Sequence, residues 1–173
     1  MMILVLGANG SGKSAYAEQA AASLCQGRLY YLATMRPFGS EGEQRVERHR
    51  AQREGMGFFT VESPFGKANP DAMDTVLLED TSNLLANLMF EQKPADGAAV
   101  ALAQIETLRA ACQHIIVVSI SGFGTEDGSD KETAAYIAAL NTLNQQIAKR
   151  ADTVIEMVSG RPVIQKGVAP CQS

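Results

Sequence analysis

Residues 7–14 read Gly-Ala-Asn-Gly-Ser-Gly-Lys-Ser, the spacing GxxxxGK[ST], and they stand between an apolar run, Met2 to Leu6, and a stretch from Gly12 to Cys25. That stretch carries Tyr16, Ala20 and Leu24 at helical spacing. A strand, a glycine turn and a helix in this order aim successive backbone N–H groups, and the positive end of the helix dipole, at one anion. Gly7, Ala8, Asn9, Gly10, Ser11, Gly12, Lys13 and Ser14 are therefore expected to cradle a nucleotide triphosphate. Lys13 would reach the β- and γ-phosphates as the catalytic cation, and Ser14 would ligate Mg²⁺. A bare glycine turn with an exposed lysine is the competing reading, and the spacing and flanks disfavour it.

The rest of the chain alternates strand and helix. Leu29 to Ala33 and Thr75 to Leu78 are short apolar runs without alternation, so both are expected as buried strands. Ala98 to Cys112 carries Ala101, Ile105, Leu108 and Cys112 at helical spacing, and the β-branched run His114 to Ser119 follows as a strand. After a glycine-rich loop, Ser121 to Ser129, a helix is expected over Asp130 to Arg150, with Asp130 as N-cap and Tyr136, Leu140, Leu143 and Ile147 on one face. A last strand, Thr153 to Val158, precedes Gly160, Pro162 and the apolar Val163 to Ile164, pieces that could pair as a hairpin. This pattern predicts an α/β fold of P-loop NTPase type: an open, mainly parallel sheet with helices on both faces and the ligand at the carboxyl ends of the strands. The length of 173 residues, 46% hydrophobic, fits a single domain over 1–173. Met35 to Gly66 interrupts the alternation; polar and arginine-rich, it is too long for an ordinary loop and should be functional or carry its own helix.

Several classes are disfavoured. No apolar run approaches the ~20 residues of a membrane helix, and the first run breaks into glycine before it could serve as a secretory signal, so a cytoplasmic protein with no membrane span is expected. A net charge of −4, no tryptophan and 6% aromatic residues argue against a nucleic-acid partner. Cys25, Cys112 and Cys171 are odd in number and far apart, which suggests neither a disulfide framework nor a zinc site.

Two further features could carry chemistry. Glu79 and Asp80 end the third expected strand, where a carboxylate binds Mg²⁺ or activates a hydroxyl; Glu79 is placed with the nucleotide and Asp80 with Ser14 at the metal. The choice between the two carboxylates stays open, as does the reading of a merely polar strand end. Arg45, His49 and Arg53 recur at i, i+4 and i+8, one face of a helix that would favour an anion. A neutral imidazole between guanidiniums could accept a phosphoryl or nucleotidyl group, and a solvated basic face is the alternative. His114, just before an apolar run, reads as structural.

With these residues in view, nearly the whole chain resembles the adenosylcobinamide kinase / adenosylcobinamide-phosphate guanylyltransferase family. The resemblance rests on residues 1–14, Tyr30-Tyr-Leu-Ala-Thr34, Arg45, His49 and Arg53 followed by Thr60-Val-Glu62, and Leu77-Leu-Glu79 followed by Asn87-Leu-Met-Phe90. Asn144-Gln145, Ala151-Asp152 and Val158-Ser-Gly160 fall in family order too. It implies two reactions: phosphorylation of the adenosylcobinamide hydroxyl from ATP or GTP, then GMP transfer from GTP to give adenosylcobinamide-GDP. It also implies that His49 carries GMP covalently, that Thr34, Arg45, Arg53, Glu62 and Glu79 contact the nucleotide, and that the chain forms a homo-oligomer, a trimer.

The chain departs from the family pattern mostly in its last third. Ser119-Ile-Ser-Gly122 replaces an Asn-Glu-Val-Gly segment, and Ile137-Ala138 and Asn141-Thr142 replace charged pairs. Phe58 stands nearest the place of a tryptophan, with one extra residue between His49 and Thr60. These changes touch acceptor recognition more than nucleotide handling. They keep two rivals open: a P-loop kinase of another small-molecule alcohol, and a nucleotide-binding paralogue without turnover.

Overall fold

A computed structural model of the chain describes residues 1–36, 47, 51, 53–122 and 130–170. Its strands are β1 (Met2–Gly7), β2 (Leu29–Ala33), β3 (Phe58–Glu62), β4 (Thr75–Glu79), β5 (His114–Ile120), β6 (Thr153–Val158) and β7 (Arg161–Lys166). They form one sheet in the order β3-β2-β4-β5-β1-β6-β7, parallel except for β7. β1 lies between β5 and β6, with Leu6 opposite Ser119 and Glu156. Such strands, hydrogen-bonded on both edges and covered on both faces, read as unbroken apolar runs.

Side chains alternate across the sheet. Met2, Leu4, Val76, Leu78, Ile115 and Val117 face one core. α2 (Thr81–Asn87), the π-helical turn Leu88–Gln92 that continues it, α3 (Gly97–Ala111) and α4 (Lys131–Arg150) pack on that side. Ile3, Val5, Leu77, Ile116 and Val118 face the other, under α1 (Lys13–Leu24). The expected open, mainly parallel sheet with helices on both faces is the observed one, and Asp130 caps α4 by accepting from Thr133 N.

Four details differ from expectation, each for a physical reason. On α1 the buried apolar residues are Ala17, Ala20 and Ala21, with Tyr16 and Leu24 only half-buried, because small side chains let the helix close onto the sheet. On α4 the buried face holds Ile137 while Tyr136 sits at its margin. β3 was not expected at all: at the sheet edge it pairs only with β2, leaves Phe59 53% exposed and so shows no apolar run. Its two aromatics anchor it on opposite faces, Phe58 edge-on to Tyr31 and Phe59 edge-on to Tyr30. α2 has seven residues, too few for helical periodicity to register.

The C-terminal pieces pair as the expected hairpin, β6 with β7, turning through Ser159 and Gly160 at φ of 49° and 79°. The helix expected within Met35 to Gly66 falls mostly outside the described residues, where Glu47, Ala51 and Arg53 are helical. Most of the Ser121 to Ser129 loop and Cys171 lie outside them too; Cys25 and Cys112 are free thiols. Among the described residues no helix is long and apolar enough to cross a membrane.

Leu32 is fully buried in β2, so Leu32→Ala should cost about 2–5 kcal/mol in urea denaturation. Asp96→Ala, which removes the cap bond to Ala99 N, should cost about 1 kcal/mol.

Candidate functional site

Between β1 and α1 the backbone turns through Gly10 and Gly12, at φ of 73° and 87°. At position 7 a Cβ would crowd Ser11 Oγ and stand 3.1 Å from the backbone oxygen of Met157 on β6, so glycine suits the close packing of the loop there. Among the described residues no side chain caps α1, whose first residue after Gly12 is Lys13. The first N–H groups of the helix are thus left to whatever occupies the loop. Lys13 folds over the turn, 8% exposed, its Nζ donating to Ala8 O at 3.3 Å.

Ser14 looks the other way. Its hydroxyl donates to Glu79 Oε1 at 2.6 Å, tying the loop to the end of β4. Burial pushes the Glu79 carboxyl up to about 8, the Asp80 charge adds to this, and the Ser14 hydrogen bond and Lys13 oppose it. Its second oxygen, Oε2, is buried without a hydrogen-bond partner among the described residues. Asp80, next in sequence, is spent differently. Its Oδ1 accepts from Asn83 N at 2.8 Å, from Asn83 Nδ2 and from the Ser82 hydroxyl, and so caps α2.

The Ser14 hydroxyl and the Glu79 carboxylate are hard oxygen donors side by side, and Oε2 keeps a lone-pair set that no described residue uses. These residues fit Mg²⁺, an ion held by one or two protein oxygens plus phosphate and water. No group of three or more His, Cys, Asp or Glu side chains suited to a metal occurs among the described residues.

Thr34 shapes this corner through backbone contacts. Fully buried, its Oγ1 lies 2.9 and 2.8 Å from the carbonyl oxygens of Glu79 and Asp80 and accepts from Asp80 N at 2.8 Å. Asn87 Nδ2 donates to Thr34 O and Pro64 O, both at 2.8 Å, and so joins the ends of β2 and β3 to α2. Glu62 is exposed at the end of β3, in register with Ala33.

Arg53 is buried at 7% exposure, its guanidinium 3.4 Å from the Tyr31 ring centre and its Nη1 3.8 Å from Glu18 Oε1. It also lines an open cleft of about 640 Å³ with Phe58 and Thr60. His49 and Arg45 lie outside the described residues. The structure thus brings Lys13, Ser14, Glu79 and Thr34 to one corner and sets Arg53 against α1 and β2. Sequence reasoning gave no role to Glu18, Tyr31 or Asn87. A carboxylate on the otherwise alanine-rich face of α1 was the available signal for Glu18.

A glycine-rich phosphate loop between the first strand and the first helix, its serine bonded to a carboxylate at the end of another parallel strand, defines a P-loop nucleotide-binding protein. The fold agrees with a solved type III secretion system ATPase from pathogenic bacteria, with a TM-score of 0.50 and 9% identity over 91% of this chain and 51% of that one. Residues 3–164 match the family described as cobinamide kinase / cobinamide phosphate guanyltransferase, and the chain belongs to that family. It is 31% identical over 179 residues to the bifunctional adenosylcobalamin biosynthesis protein CobU of Escherichia coli K12, covering 92% of this chain and 97% of that protein. It is also 31% identical over 175 residues to the corresponding protein CobP of Pseudomonas aeruginosa, covering 96% and 98%.

Lys13→Ala should lower nucleotide turnover by at least about 100-fold, read by coupled assay. Glu79→Gln should cost activity similarly yet change the pH dependence of stability. Because the folded carboxyl titrates above its unfolded value, the wild type has this group's full contribution below pH about 4.5 and loses it as pH rises through about 8. Urea denaturation without nucleotide should show that decline in the wild type and its absence in Glu79→Gln.

Proposed function

We propose that this chain phosphorylates the adenosylcobinamide hydroxyl from ATP or GTP, and then transfers GMP from GTP to adenosylcobinamide phosphate through a guanylyl-histidine at His49. The observation that carries the reading is the Ser14–Glu79 contact at the head of the phosphate loop, in a chain matched to the family over residues 3–164. Ser14 and Glu79 would hold Mg²⁺, with Asp80 supporting that end of β4 through its cap. When bound, the ion supplies charge neutralisation across the phosphates.

In the first reaction the acceptor hydroxyl oxygen bonds to the γ-phosphorus as the bond to the β,γ-bridging oxygen breaks, the nucleoside diphosphate leaves and the hydroxyl proton passes to water. The loop N–H groups and Lys13 hold the phosphoryl oxygens as charge shifts onto the leaving group. In the second, the His49 imidazole bonds to the α-phosphorus of GTP and pyrophosphate leaves. The terminal phosphate oxygen of the acceptor then displaces the histidine, giving adenosylcobinamide-GDP and free His49. Arg45 lies near in sequence and would balance charge at that phosphorus. We further read the chain as one domain that works in the cytoplasm as a homo-oligomer, a trimer by family resemblance.

A kinase acting on another alcohol is the second reading. It is favoured by Ser119, the first residue of the stretch that replaces a polar family segment, which is fully buried between Thr81 Oγ1 and Asn144 Oδ1, both at 2.6 Å, so it offers nothing to an acceptor.

Incubation with α-³²P-labelled GTP and Mg²⁺, without acceptor, should leave an acid-labile, base-stable label on the wild type. None should form on His49→Asn, which should still phosphorylate cobinamide. An unlabelled wild type that binds GTP, or label persisting in His49→Asn, would overturn the guanylyl-histidine assignment.

A further inference from the structure

Glu18 and Arg53 are 3% and 7% exposed, and each comes from a different part of the chain. Glu18 lies on α1 one helical turn after Ser14, so the two share a face of that helix. Arg53 lies four residues after His49, a tether of at most about 14 Å. Charges are not buried in pairs without strong constraint on what carries them, because removing either partner strands the other.

Tyr31 completes the arrangement. Its ring, on β2 and 4% exposed, lies under the guanidinium carbon at 3.4 Å from the ring centre and meets Phe58 edge-on at 5.9 Å. The pair itself is not closed. Arg53 Nη1 and Glu18 Oε1 are 3.8 Å apart, and each is buried without a hydrogen-bond partner among the described residues. Arg53 is therefore held by charge and by its contact with the Tyr31 ring, against two rigid elements.

A line of contacts follows. Glu79 bonds Ser14, Ser14 and Glu18 share α1, Glu18 faces Arg53, and Arg53 rests on Tyr31. Phosphorylation draws on Lys13, Ser14 and Glu79, which have their own hydrogen bonds at the loop and at Thr34. Guanylyl transfer needs, in addition, the segment that precedes Arg53 to stand in a fixed place relative to the loop.

We propose that Glu18, Arg53 and Tyr31 form a positioning element that pins the chain following His49 to the phosphate-binding helix, so that GMP transfer depends on it and phosphorylation does not. This rests on the reading of His49 as the GMP acceptor. Arg53 on this account is a positioning residue, set against Glu18 and Tyr31.

The test compares two rates in one preparation: formation of the labelled enzyme from α-³²P-labelled GTP, and phosphorylation of cobinamide. The double variant E18Q/R53M removes both charges together and leaves neither stranded. Its labelling rate should fall by about 100-fold, the cost of a misplaced reacting group, while the phosphorylation kcat stays within about twofold. Arg53→Lys keeps the charge without the planar stack and should recover part of the labelling rate. It also decides the matter alone if the double variant does not fold. Equal loss of both rates, or loss of neither, with His49→Asn unlabelled, would overturn the positioning role alone. Label persisting in His49→Asn would mark failure of the acceptor reading and overturn both.

Discussion

The hydrogen bond from Ser14 to Glu79 is the contact on which the site depends. It joins the turn after β1 to the end of β4, although β5 lies between those strands. Two strand spacings amount to about 10 Å, so α1 must lean across β5 for its serine to reach the carboxylate. The alanines at 17, 20 and 21 allow that close approach. Parallel strands do the rest, since Gly7, Ile120 and Glu79 all end their strands at the same edge of the sheet, Glu79 two residues short of Ile120 in register.

Around this contact the molecule spends its polar groups on placement. Two neighbouring carboxylates diverge in role because Asp80 begins a helix and Glu79 ends a strand. Thr34 and Asn87 fix the corner through backbone carbonyls, which gives Glu79 a rigid seat. Burial then makes its charge costly, so the carboxyl carries a raised affinity for a proton that a cation at the same oxygens would offset. On the α1 side the buried Glu18 and Arg53 extend the same logic toward the segment that contains His49.

Much of this was legible in the sequence because it is written in local patterns. The phosphate loop is a fixed spacing, the buried strands are apolar runs, and α3 and α4 carry a 3.6-residue period. β3 escaped because an edge strand exposed on part of both faces leaves no such run, and α2 because it is short. The destination of side chains was less legible than the elements. Nothing local tells that Arg53 turns inward to Tyr31, that Thr34 is consumed by backbone groups or that Asp80 caps a helix while Glu79 meets Ser14. Those outcomes depend on which strands are neighbours, a long-range property. Arg45 and His49 are read from sequence pattern and family resemblance.

The central claim, that the serine and the carboxylate act as one unit in holding the metal-bound nucleotide, is tested most directly by a double-mutant cycle. Equilibrium binding of nucleotide in the presence of Mg²⁺ would be measured for wild type, Ser14→Ala, Glu79→Gln and the pair. If the two act as a unit, the double variant should bind no more than about twofold more weakly than the worse single variant. Losses that multiply would show two independent contacts and contradict the account.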